Sequence, residues 1–122
     1  MFVHPYSNEE RLRELYFGED EGVHYDSLPD ESKQKFNDYR YVAPAGESWV
    51  QCHRRVLDFF KAEMQEEGTY LIFTHGGLLS SVTWDLGKRN NISNAGMIGL
   101  SLENGEPTKL EFAWDFPLLD IP

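Results

Sequence analysis

With 122 residues, 40% of them apolar and 14% aromatic, the chain is long enough for one domain with one core and too apolar to stay disordered. Its 21 acidic residues against 11 lysines and arginines give a formal charge of -10 with no basic block, which excludes nucleic acid and anionic membranes as natural partners. The single cysteine, Cys52, leaves no intramolecular disulfide and no cysteine-built metal site. No apolar run of about 18 residues and no leader-like start is visible, so the expectation is a soluble, cytoplasmic protein.

In chain order, Phe2-Val3-His4-Pro5 reads as at most a short edge strand, because Pro5 cannot donate to a ladder, and His4 reads as a surface residue. Residues 8–22 combine a charged turn with Leu12, Leu15 and Phe17 as anchors on the core. Glu14 stands there among acids at 9, 10, 19, 20 and 21, so composition alone makes it a solvated carboxylate. A turn at 26–30 leads into a short polar helix running to about Asp38, with Asp30 as N-cap. Residues 39–46 form an aromatic loop, either surface or a lid over a site.

Residues 47–68 give the clearest helix. Ser48 and Gln51 match a capping box, and Trp49, Cys52, Val56, Phe59, Phe60 and Met64 make an apolar stripe. Arg54, Arg55, Asp58, Lys61 and Glu66 are expected to face water. Tyr70 to Phe73 is an unbroken apolar run, suited to a strand covered on both faces as in a parallel sheet. It delivers His75 to Gly76-Gly77 and a helix carrying Leu78, Leu79, Val82 and Leu86, closed by Gly87. A histidine at a strand end beside a helix start lies where α/β sheets bind ligands, and free N–H groups there favour an anion such as phosphate. The competing reading is that His75 merely closes the strand. After a polar connection at 88–95, residues 97–102 and 110–114 alternate around Asn104-Gly105, the signature of a hairpin, and 116–122 form a tail.

Several chemistries lack their residues. There is no G-x-S-x-G elbow, P-loop or dinucleotide fingerprint, and His4, His24, His53 and His75 show no metal-ligand spacing, so neither a metal nor a cofactor is expected.

Three motifs in order, Arg11-Leu12-Arg13-Glu14-Leu15-Tyr16-Phe17-Gly18 with Glu21-Gly22, then Pro44-Ala45-Gly46-Glu47-Ser48, then Phe73-Thr74-His75-Gly76-Gly77, carry a resemblance. With Asn94-Ala95-Gly96 leading into the hairpin, the chain resembles the C-terminal part of a histidine phosphatase, the superfamily that includes the cofactor-dependent phosphoglycerate mutases and fructose-2,6-bisphosphatases. The resemblance implies a single three-layer α/β/α domain with a mostly parallel sheet, an antiparallel C-terminal hairpin and a cap or lid at 23–46. It implies Glu14 as general acid and His75 as the histidine that hydrogen-bonds the transferring phosphoryl group, with Gly76, Arg13 and Arg40 as phosphate- or substrate-binding residues. A first histidine would attack phosphorus to give a phosphohistidine.

The family's opening strand ends in arginine-histidine-glycine, and no such triplet occurs here. His4 has neither neighbour and lies only ten residues before Glu14, so it is rejected as nucleophile. The expectation is therefore an N-terminally truncated domain with an open sheet edge beside 70–73, which a complementing segment or a second copy would cover. Three readings compete: a phosphatase or mutase acting on a phosphorylated small molecule and completed from elsewhere, an inactive relative serving as a binding or dimerisation module, and an unrelated α/β domain. The chain alone is expected to turn nothing over. Residues 23–46 offer only Lys33, Lys35 and Arg40 as cations, which favours phosphatase over bisphosphate-handling mutase.

Overall fold

The computed structural model describes residues 6–36, 38, 40–84, 86, 92 and 95–114. The edge strand and histidine expected at 2–5, the helix stop at Gly87, most of the connection at 88–95 and the tail at 116–122 lie outside these residues. The described elements are three 3₁₀ turns, at Glu10–Leu12, Gly18–Asp20 and Tyr25–Ser27, then helices α1 (Asp30–Phe36), α2 (Trp49–Glu63) and α3 (Gly76–Trp84) and strands β1 (Met97–Glu103) and β2 (Glu106–Trp114).

Helix α2 begins where its local chemistry dictates. The Ser48 hydroxyl accepts the Gln51 N–H at 3.1 Å while the Gln51 side chain accepts the Ser48 N–H at 2.8 Å, a complete capping box whose cap contributes about 1 kcal/mol. The helix ends at Glu63, five residues before the glycine expected to stop it, with Met64 as C-cap. Cys52, Val56, Phe59, Phe60 and Met64 are buried as the apolar stripe predicts, and with Leu15, Leu78 and Val82 they form the core. Burial pushes the Cys52 thiol up to about 11, so this cysteine is an inert packing group.

Helix α3 buries more than its apolar positions. Leu78 and Val82 enter the core, but Ser80, Ser81 and Thr83 are buried as well. Their hydroxyls donate back to the carbonyls of Gly76, Leu78 and Ser80 at 2.7–2.8 Å, so a buried polar face carries no unsatisfied donor. Trp49 and Trp84, with ring centroids 5.2 Å apart, join the start of α2 to the end of α3.

The hairpin follows the sequence closely. Strands β1 and β2 pair antiparallel around Asn104 and Gly105, both at positive φ (51° and 75°), and Ile98, Leu100 and Leu102 pack on the core. Two register shifts, at Gly99/Leu100 and Ser101/Leu102, interrupt the alternation, and Phe112 and Trp114 come out half-exposed, stacked with centroids 5.0 Å apart.

The run at 70–73 departs most from expectation. Among the described residues the sheet has two strands, β1 and β2, and segment 69–74 makes no backbone hydrogen bond. Leu71 is 75% and Phe73 87% exposed, while Ile72 packs on the core. The segment thus alternates like a strand but has no described strand beside it. A groove of about 1040 Å³ is lined by this segment and by β1, with Phe60, Met64, Leu78 and Val82 also contributing. The fold is therefore mixed α/β with an antiparallel C-terminal hairpin, and a parallel sheet in three layers is not among its described elements.

Near the front of the chain, Arg11 donates to Glu9 at 2.7 and 2.8 Å and to Glu63 at 2.8 Å and lies over the Phe59 ring, 5.0 Å from its centroid. Arg11 holds the Glu9 carboxyl down at about 2, against 4.5 ordinarily. The folded value lies below the unfolded one, so this pair's contribution is present above pH about 4.5 and is lost as pH falls through about 2. Denaturant midpoints of wild type and Glu9→Gln are accordingly expected to differ at pH 6 to 7 and to converge near pH 2, measured by urea melts across that range.

Candidate active site

Two segments distant in sequence meet at the start of α3. His75 precedes the helix, its carbonyl accepting the Leu79 N–H at 3.0 Å, and it is exposed. Thr74 donates its hydroxyl to the Leu12 carbonyl at 2.7 Å, fastening the end of segment 69–74 to the loop that bears Glu14. The Glu14 side chain, half-buried, then crosses to the helix. Its Oε1 accepts the Leu15 N–H at 2.8 Å and its Oε2 accepts the Gly77 N–H at 3.2 Å. The N–H groups of a helix's first turn have no partner within the helix, and one of them is what holds this side chain.

The two glycines are dictated by close approach rather than by backbone freedom. A Cβ on Gly77 would lie 2.5 Å from Glu14 Oε1, and one on Gly76 would lie 2.5 Å from the Ile92 carbonyl oxygen. Gly76 is the first residue of α3 and stands between His75 and the amide that Glu14 engages.

The loop at 11–16 has little regular structure of its own and is held from α2. Arg55, 12% exposed, pairs with Glu47, 14% exposed, at 2.6 Å. The same guanidinium donates to the carbonyls of Arg11, Arg13 (2.9 Å) and Glu14 (3.5 Å). Glu47 accepts the Tyr16 N–H at 3.1 Å and returns its own N–H to the Tyr16 carbonyl at 2.9 Å. Sequence reasoning placed Arg55 on the solvated face of the helix. The available signal was its position next to Val56 and one turn from Cys52, at the border of the apolar stripe, where an arginine stem is covered and its head must find acceptors.

Of the residues singled out from the sequence, Glu14, His75 and Gly76 come together here. Arg13 is exposed, donates to the Glu10 carbonyl at 3.2 Å and makes no ion pair among the described residues. Arg40 lies elsewhere, on a shallow pocket with Glu31, Lys35 and Asp38, and no described contact links it to Glu14 or His75.

Comparison with solved structures shows the fold. TTHB049 from Thermus thermophilus superposes with a TM-score of 0.72 over 88% of this chain and 60% of that one at 23% identity, which is a likeness of fold. A single-substitution mutant of the same protein gives 0.70 over 87% and 59%. Residues 3–119 match the model of the histidine phosphatase superfamily (branch 1), and the chain belongs to that superfamily. A curated relative from Hydrogenobacter thermophilus, named "Putative phosphoserine phosphatase 2", is 30% identical over 113 residues, which is 82% of this chain and 56% of the relative. The chain thus spans little more than half the length of that relative.

Proposed function

We propose that this chain supplies the proton-donating and phosphate-facing part of a phosphomonoesterase site, with the nucleophilic histidine carried on a strand that fills the groove between segment 69–74 and β1. The observation that carries the reading is the Glu14 carboxylate seated on the Gly77 N–H, two residues beyond His75. In the forward step a histidine nitrogen attacks phosphorus in line and the P–O bond breaks. Glu14, protonated, gives its proton to the departing oxygen, while the His75 imidazole and cationic side chains stabilise the equatorial oxygens. In the second step water attacks the phosphohistidine, Glu14 takes the proton from that water, and inorganic phosphate leaves.

The groove supports the second half of the reading. Segment 69–74 has no backbone partner among the described residues, and β1 is paired on one edge by β2 alone. A single apolar strand would meet hydrogen-bonding groups on both sides and close an open edge that is prone to unwanted pairing. Phosphatase chemistry is favoured over mutase because both lysines of 23–46 are already engaged: Lys35 pairs with Glu31 at 3.0 Å and Lys33 reaches the Asp26 carbonyl at 3.4 Å. The name of the Hydrogenobacter relative points the same way.

The test is complementation. The 122-residue chain is expected to hydrolyse p-nitrophenyl phosphate no faster than buffer, and to gain turnover when an apolar strand ending in arginine-histidine-glycine is fused ahead of it or added in trans. Turnover by the chain alone, dependent on Glu14, would place the nucleophile within it; binding of the strand without turnover would favour an interaction module, and a dimer that excludes the strand would favour self-pairing.

In the complemented protein Gly77→Ala is expected to keep the fold, since the added methyl meets only the end of a flexible side chain. It should change stability by about 1 kcal/mol or less, while displacing the Glu14 carboxylate and lowering the hydrolytic rate about 10²-fold. Melting and rate measurements on one preparation check both halves.

A further inference from the structure

The Arg55–Glu47 pair has a geometry that a stabilising ion pair does not need. It grips no side chain of the Glu14 loop; it grips the backbone. Carbonyls 11, 13 and 14 converge on one guanidinium, and both the N–H and the carbonyl of Tyr16 are taken by Glu47. Glu14 therefore lies between two fixed points, its own carbonyl is held, and its side chain runs from there to the start of α3. A planar guanidinium offers five N–H donors in a fixed fork and can serve several carbonyls and a carboxylate at once, whereas an ammonium has three donors on a point charge.

We infer that Arg55 and Glu47 are positioning residues for Glu14: the pair sets where the loop carbonyls sit and so where the Glu14 carboxylate meets the Gly77 N–H. This rests on the phosphatase reading only for the meaning of Glu14's place. The placement itself can be measured without turnover.

The experiment is an NMR comparison of the ¹⁵N-labelled chain and its variants at one pH, following the Gly77 amide proton. Glu14→Gln gives the position of this proton without the carboxylate acceptor, and that position is expected upfield of wild type. In Arg55→Lys and Glu47→Gln the Gly77 amide proton is expected to move at least about half of the way from its wild-type position to that of Glu14→Gln, while the amides of the β1–β2 hairpin keep their positions. Retention of positive charge in Arg55→Lys does not rescue, because the fork and not the charge is what aligns the carbonyls. A Gly77 amide unmoved in both variants overturns the inference. So does loss of the dispersed spectrum in both, which would make the pair a fold-holding contact and no more. A Gly77 amide that Glu14→Gln itself leaves unmoved is a different failure, since it removes Glu14 from the start of α3 and with it the site reading.

Discussion

Glu14→Gln in the complemented protein is expected to slow hydrolysis of an alkyl phosphate about 10²–10³-fold, and that of p-nitrophenyl phosphate much less. An alkoxide leaves poorly without a proton, whereas p-nitrophenolate leaves unaided, so the size of the loss should follow the basicity of the departing oxygen. The fold should hardly notice. Two N–H donors, of Leu15 and Gly77, converge on the two carboxylate oxygens, and glutamine has one acceptor oxygen, so one donor loses its partner at about 1 kcal/mol. His75→Ala is expected to cost a similar factor with a different signature. In the proposed mechanism its imidazole serves charge on the phosphoryl oxygens, so the loss should be about equal for both leaving groups. Steady-state rates for the two variants on the two substrates give four numbers. Equal losses for Glu14→Gln on both substrates would deny it the role of acid.

Gly18→Ala is expected to cost about 2–4 kcal/mol of stability, because Gly18 is buried where its added methyl has no room. Gly18 has φ +57°, and a Cβ there would lie 2.1 Å from the Pro44 carbonyl oxygen and 2.4 Å from the Gly46 nitrogen. Both are backbone atoms and cannot rotate away. The Glu19 N–H bond to that same carbonyl, 2.8 Å, and the Glu47–Tyr16 exchange would have to open for the methyl to enter. Gly22 provides the control: it also has positive φ, +79°, but nothing lies within 4 Å of its would-be Cβ, so Gly22→Ala should cost only about 1 kcal/mol of backbone strain. Urea midpoints of the two variants measured together separate the clash from the strain. Because Gly18 abuts the segment that leads to Glu47, its replacement should also loosen the grip on Glu14.

What was legible in the sequence is what short-range physics determines. The capping box of Ser48 and Gln51, the stripe from Cys52 to Met64 and the Asn104-Gly105 turn depend on neighbours within a few residues, and each stands where the pattern places it. The burial of α3 on its hydroxyl side was not legible, because Ser80, Ser81 and Thr83 read as solvated until their bonds to the preceding turn are seen. Nor was the environment of 70–73, since a run of large apolar residues specifies that a strand wants cover and not that cover lies beside it. Glu14 illustrates the deeper limit. Composition and periodicity do not distinguish it from the acids around it; its place beside Gly77 arises from Arg55 and Glu47, 41 and 33 positions away, and from Thr74 bonding Leu12 across 62. Motif resemblance singled it out where spacing could not.

Orthovanadate, bound to the complemented protein and located by crystallography, tests the account most directly. The prediction is a vanadium centre within hydrogen-bonding reach of the His75 imidazole, near the Gly76 and Gly77 amides, with the Glu14 carboxyl about 3 Å from an apical oxygen. Vanadate seated away from the start of α3, or Glu14 and His75 opening onto separate surfaces, would contradict it.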